Sequence, residues 1–159
     1  MDIKTDLTDE LLNTNSAEIV SWEAKYATGI KLIDDQHKEL VFLTNQLYKA
    51  CNTGQEVIDT VFKDALHQMV EYVRFHFSTE QELLEHIEYP SWKDHAMEHD
   101  KLVRDIVEAT KDYEAGRKYT PYNFARVLRN WVFGHIAHFD KLYSLYVVEE
   151  KKKGLLQNL

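Results

Sequence analysis

Along the chain, apolar residues recur in alternating steps of three and four, the pattern of helices that bury one face. One stripe runs Ile33, His37, Leu40, Thr44, Leu47. A second runs Phe62, Leu66, Met69, Val73, His76, Glu80, Leu83, Ile87. A third runs His95, His99, Leu102, Ile106, Ala109, Tyr113, and a fourth Phe124, Leu128, Trp131, His135, His138, Leu142. Start and stop signals separate them. Asn13 to Ser16 mark a loop, and Thr53 and Glu56 after Asn52 have capping-box spacing. Pro90 closes one helix and Ser91 is placed to cap the next. Thr120 and Pro121 can serve as N-cap and first helical residue, and Lys151 to Lys153 precede Gly154 as in a last helical turn. The pattern predicts helices over roughly 31–51, 54–88, 92–115 and 121–153. Short loops make neighbours antiparallel, so the expected fold is all-α, an up-down-up-down four-helix bundle. Residues 1–20 read as an N-terminal extension, flexible or docking, 21–153 as the bundle and 154–159 as a C-terminal tail.

Composition narrows the function. The 159 residues are 44% hydrophobic and 29% charged, enough for one domain with its own core. Five Gly and two Pro leave too few turns for a sandwich or barrel. A net charge of −8 argues against nucleic acid or an anionic membrane surface as partner. The apolar runs fall short of a membrane span, and the N-terminus lacks a secretory signal. A single Cys51 suits a reducing cytoplasm. The eight His are the unusual count, and their places decide the reading.

Each apolar stripe is interrupted by His or Glu, and in an up-down bundle the interruptions fall toward one end. His37 begins the first helix, His76 and Glu80 end the second, His95 and His99 begin the third, and His135 lies late in the fourth. A buried layer of unpaired imidazoles and carboxylates costs several kcal/mol in desolvation. Metal coordination removes that cost. His76-x-x-x-Glu80 and His95-x-x-x-His99 put two ligands on one helical face. A structural zinc site wants four ligands and often Cys. The zinc-protease motif needs Glu after its first His, where this chain has Ala96. Ferritin-type sites need Glu-x-x-His, which occurs nowhere here. An imidazole-rich set with carboxylates suits two six-coordinate first-row ions, with iron favoured.

The residues also resemble a known family. Trp22, Gly29-Ile30, Ile33-Asp34, Gln36-His37, His76-Phe77-x-x-Glu80, Tyr89-Pro90, His95-x-x-x-His99, Trp131 and His135-Ile136-x-x-x-Asp140 look like the bacterial hemerythrins, over roughly residues 20 to 146. The resemblance implies a non-haem di-iron centre that binds dioxygen reversibly, for storage, delivery or sensing. His95, His99 and His135 would hold one iron, His37 and His76 the other, and Glu80 and Asp140 would bridge the two. With a bridging oxo or hydroxo group, this set leaves one coordination position open, on the iron with two His. The partners expected are dioxygen and a protein for oxygen delivery or signalling, with no nucleic acid and no membrane. The rival reading is a di-iron enzyme acting on peroxide or nitric oxide at the same open iron. The carboxylate-poor ligand set leans toward binding, so no catalytic residue is assigned.

One spacing resists the helix template. Asp140 lies five residues after His135, about 140° away on an ideal helix. A π-type turn would bring it back to the seam. Alternatively His138, at i+3, supplies a sixth imidazole. Of the remaining groups, His67 and His86 are expected at the surface, and Cys51 as an inert small hydrophobe. Glu82, Glu85 and Glu88 read as a solvated face, and Tyr113, Tyr119 and Tyr122 as packing around a loop. Trp131, Phe75, Phe77 and Phe139 are candidate walls of a dry pocket.

Overall fold

The computed structural model describes residues 18–52 and 58–156. Most of the N-terminal extension, the Thr53–Glu56 capping box and residues 157–159 lie outside the described residues. Helix α1 spans Lys31–Ala50, α2 Ile58–His86, α3 Trp92–Glu114 and α4 Pro121–His135. A π-helical turn, Ile136–Asp140, follows α4 without a break and leads into α5, Lys141–Lys152. α4, the turn and α5 together form the fourth rod of an antiparallel four-helix bundle. α1 packs on α2 and α4, and α3 packs on the same two. A 3-10 turn, Ala24–Tyr26, precedes α1 and lies against the π turn. No helix among the described residues is long and apolar enough to cross a membrane.

Helix ends follow local chemistry. Thr120 Oγ1 accepts from Asn123 N at 3.3 Å, with Pro121 as the first helical residue. Ser91 occupies the N-cap position of α3, but its side chain makes no capping bond, contrary to expectation. Gly116 adopts φ 67°, and Arg117 N closes back on Asp112 O at 2.9 Å. α2 ends with the same geometry at Glu88, a non-glycine residue at φ 53°, just before Pro90.

The interior has three levels. A large apolar cluster, including Leu40, Leu47, Phe62, Leu66, Met69, Phe124 and Leu128, fills one end. A small cluster of Ile30, Ile33, Leu84, Ile87, Tyr89, Tyr143 and Val147 closes the other. Between them lies a polar layer. Two seam expectations fail around it. Leu84 is fully buried and Leu83 only half-buried. His138 and Leu142 face solvent, and Asp140 and Tyr143 take the inward places. In the fourth rod the cause is the π turn: its i to i+5 spacing inserts one residue into the helical register and rotates every later side chain. Tyr113 is likewise core rather than loop packing, its ring against Phe62 and Phe124.

Candidate metal centre

All four rods deliver polar side chains to this layer. α1 supplies His37, and α2 supplies His76 and Glu80 one turn apart. α3 supplies His95 and His99, α4 supplies His135 and the π turn supplies Asp140. All seven are 6% exposed or less. Their donor atoms form two overlapping groups, each with atoms within 4.8 Å of one another. One group is Glu80, His95, His99, His135 and Asp140, and the other is His37, His76, Glu80 and Asp140. The two acids belong to both.

Three of the closest approaches here are not hydrogen bonds. His99 Nε2 lies 3.0 Å from Glu80 Oε2, His135 Nε2 lies 3.1 Å from Asp140 Oδ1, and His37 Nε2 lies 3.3 Å from Asp140 Oδ2. Yet these three nitrogens, His76 Nε2 and both Asp140 oxygens have no hydrogen-bond partner. Orphaned buried polar atoms of this kind are rare, and a cluster of them calls for a missing partner. Two ligands at right angles, each about 2.1 Å from one cation, are about 3.0 Å apart. The observed separations match such edges, and the nitrogen and oxygen donors suit first-row transition ions. The residues present therefore fit a pair of metal ions sharing two carboxylates.

Charge points the same way. Among the described residues the ion-pair partners of Glu80 and Asp140 are all histidines. Burial and the Asp140 carboxylate push Glu80 upward, but His95, His99 and His76 outweigh them and hold it below the usual carboxylate range. Burial likewise raises Asp140, and contacts with His135, His37 and His95 hold it well below that range. The rings cannot all carry the balancing protons. Burial drives His76 down to about 4 despite the pull of Glu80, and burial also lowers His99. Burial opposes protonation of His95 too, but Asp140 and Glu80 lift it to about 9. Burial opposes protonation of His37 as well, and Asp140 and Glu80 raise it. Two buried anions set among imidazole nitrogens suit a cation.

Neighbouring groups aim the rings. The backbone carbonyl of Tyr26 lies 2.8 Å from His37 Nδ1 and can only accept, so Nδ1 carries the proton and Nε2 a free lone pair. Gln36 Oε1 does the same for His76 Nδ1 at 2.9 Å. Phe77 stacks on His99 with ring centres 3.9 Å apart and planes 4° from parallel. Phe139 stacks on His135 at 5.2 Å. Tyr143 is fully buried, and its hydroxyl donates to Glu80 Oε1. Burial and the carboxylates of Glu80 and Asp140 keep that phenol protonated, with a pKa well above its ordinary value.

The structure gathers all seven residues singled out from the sequence. It leaves His138 exposed, so the sixth-imidazole alternative has no geometric basis. His67 and His86 are also exposed, with His67 3.2 Å from Glu114. Phe75, read as a pocket wall, is 56% exposed and faces away, because it sits one position before His76 on the outer side of α2. Cys51 is half-buried against the large cluster, and burial lifts its thiol to about 11, which makes it inert. Sequence reasoning missed Tyr26 and Tyr143 and gave Gln36 no role. Two clefts reach the layer from outside. One of about 420 Å³ is lined by His95, Phe139 and Met97 among others, and one of about 240 Å³ by His135, Trp131 and Phe139 among others.

Comparison with known proteins agrees with this geometry. A family model described as the hemerythrin HHE cation binding domain matches residues 28–145. The bacteriohemerythrin of Methylococcus capsulatus is 30% identical over 127 residues, covering 79% of this chain and 95% of that one. That of Pseudomonas aeruginosa is 30% identical over 122 residues, covering 77% of each. A crystal structure of wild-type hemerythrin superimposes with a TM-score of 0.70 at 30% identity, covering 79% of this chain and 95% of that one. The crystal structure of a hemerythrin point mutant gives 0.71 at the same identity, covering 80% and 95%.

Proposed function

The chain belongs to the hemerythrin family, and from that premise we propose that it binds dioxygen reversibly at a non-haem di-iron centre. His95, His99 and His135 hold one iron, and His37 and His76 hold the other. Glu80 and Asp140 would be shared between the two, with an oxo or hydroxo group completing the centre. The observation that carries this reading is the pair of ligand groups sharing two acids, with five histidines divided three and two. When bound, a ferrous pair supplies the two electrons that dioxygen takes up and returns.

The protein's own contribution is positioning and exclusion of water. Hydrogen bonds from His37 and His76 to their acceptors present both Nε2 lone pairs to one point. The large and small apolar clusters seal the layer above and below, which slows any escape of charged products into water. Five neutral imidazoles against two carboxylates leave the centre with little negative charge, which favours return of the electrons over onward oxidation. Binding rather than catalysis is the activity this donor set suits.

The remaining parts of the reading follow from it. Residues 21–153 form the functional unit, and Ile19 and Val20 at the end of the preceding extension are tied to it through Asn45. A cytoplasmic setting suits a lone free thiol and a ferrous centre. A protein partner receives the oxygen or the signal, and neither nucleic acid nor a membrane is part of the assembly.

The test is iron analysis with an optical spectrum of the anaerobically reduced protein, taken before and after admission of air. Two irons per chain are expected, with a visible band that appears in air and disappears when dioxygen is removed. Stoichiometric zinc in place of iron, or permanent bleaching with turnover of peroxide or nitric oxide, would overturn the reading.

A further inference from the structure

We propose that Gln36 and Tyr143 are positioning residues that hold the centre toward its reduced state, Gln36 by steadying His76 with a neutral acceptor where a carboxylate would make the ring a stronger donor, and Tyr143 by donating a hydrogen bond to Glu80. The inference rests on the di-iron reading above.

Gln36 stands beside His37 on α1 and is 6% exposed. It contributes no donor atom to either group of ligands, and its Oε1 faces His76 Nδ1 across the α1–α2 contact. The outer partner of a ligand histidine is commonly a carboxylate, which draws the ring proton toward itself and makes the ring a stronger donor. Here the partner is a neutral amide. His37 also leans on a neutral acceptor, the Tyr26 carbonyl. Both rings of the two-histidine group therefore remain plain imidazoles. A carboxylate would fit the same space, since Glu and Gln differ by one atom.

Tyr143 acts on the opposite side of the layer. Its hydroxyl donates to Glu80 Oε1, while Glu80 Oε2 faces His95 and His99. A phenol donating to a carboxylate draws charge from it, and the surrounding Ile30, Ile33, Leu84 and Ile87 leave no water to compete. Its inward orientation depends on the π turn that also delivers Asp140. Tyr143 weakens its ligand as an electron donor, and Gln36 strengthens its own less than a carboxylate would. A weaker donor set stabilises the lower charge on the metals.

The experiment compares the 159-residue chain with Gln36→Glu, Gln36→Ala and Tyr143→Phe, reading Co²⁺ affinity of the metal-free protein and the reduction potential of the iron-loaded protein. Gln36→Ala is expected to weaken Co²⁺ binding about tenfold, the lower end of what loss of an outer partner does. Gln36→Glu restores an acceptor, so it should bind Co²⁺ at least as tightly as the original chain yet shift the potential downward. Tyr143→Phe should also shift the potential downward, with two irons retained. Two irons bound with an unmoved potential in both Gln36→Glu and Tyr143→Phe would overturn the inference and leave the di-iron reading standing. An original chain that takes up no metal pair would overturn both.

Discussion

His37 and His76 rest on hydrogen-bond acceptors, whereas His99 and His135 lie against the faces of phenylalanines. The two groups of ligands share Glu80 and Asp140 but are held by different forces. The two-histidine rings are fully buried, and their proton positions are fixed by acceptors that cannot donate or, for Gln36, need not. The three-histidine rings come closer to the surface, with His95 and His135 each lining a cleft. Stacking fixes the plane of a ring but not which nitrogen carries its proton. One group is set by directed hydrogen bonds and sealed from solvent, and the other is set by stacking and borders the clefts.

The sharpest way to break the comparison is to remove what the groups share. Glu80→Ala takes a shared acid from both and leaves the Tyr143 hydroxyl without its acceptor. The variant should lose the reversible band entirely and fall below two irons per chain, measured by metal analysis. Full dioxygen binding in Glu80→Ala would refute the role given to this residue. Next in size is the loss of one group alone. His95→Ala should lose iron from the three-histidine group, and His37→Ala from the two-histidine group, each leaving about one iron per chain; both variants should also melt at lower temperature.

Phe77→Ala separates the forces themselves. The ring is 4% exposed and stacked on His99, so its removal should destabilise the metal-free fold by about 3–5 kcal/mol in urea unfolding. Iron release from the loaded variant should be faster from one group only, giving two kinetic phases with chelator. A single phase would mean that stacking does not govern the three-histidine group separately.

Much of this was legible in the sequence, for identifiable reasons. The i, i+4 pairs on α2 and α3 and the interrupted apolar stripes locate the polar layer, because helical periodicity maps side chains to faces directly. Asp140 was open to two readings because a regular helix cannot place it and His135 on one seam. The π turn settles its orientation, and the same shift hid Tyr143 behind Leu142. The Tyr26 contact was invisible for another reason. It is a backbone carbonyl, and no side-chain pattern reports where a backbone group points. Gln36 could have been found, since it adjoins a candidate ligand on the inner face of α1, but a neutral polar residue gives a weaker signal than an acid.

The smallest effect cuts across the comparison. In protein freed of metal by chelation, each group contains one ring raised and one lowered in pKa. His37 is raised and His76 lowered, and His95 is raised and His99 lowered. An unfolded histidine titrates near 6.5. With a folded value of about 4, His76 binds fewer protons than the unfolded chain does between those limits, so stability falls as pH drops from 6.5 toward 4. With a folded value of about 9, His95 contributes stability that is complete below 6.5 and lost as pH rises through 9. The depressed carboxylates of Glu80 and Asp140 add a further loss only at lower pH, below their unfolded range. The metal-free protein should therefore be most stable near pH 6.5, with urea midpoints lower at about pH 5 and about pH 8.5. Metal reverses the alkaline side, because a coordinated imidazole must shed its proton and binding tightens as pH rises. A metal-free protein whose stability rises steadily from about pH 5 to about pH 8.5 would show that His95 does not hold its proton between the two acids.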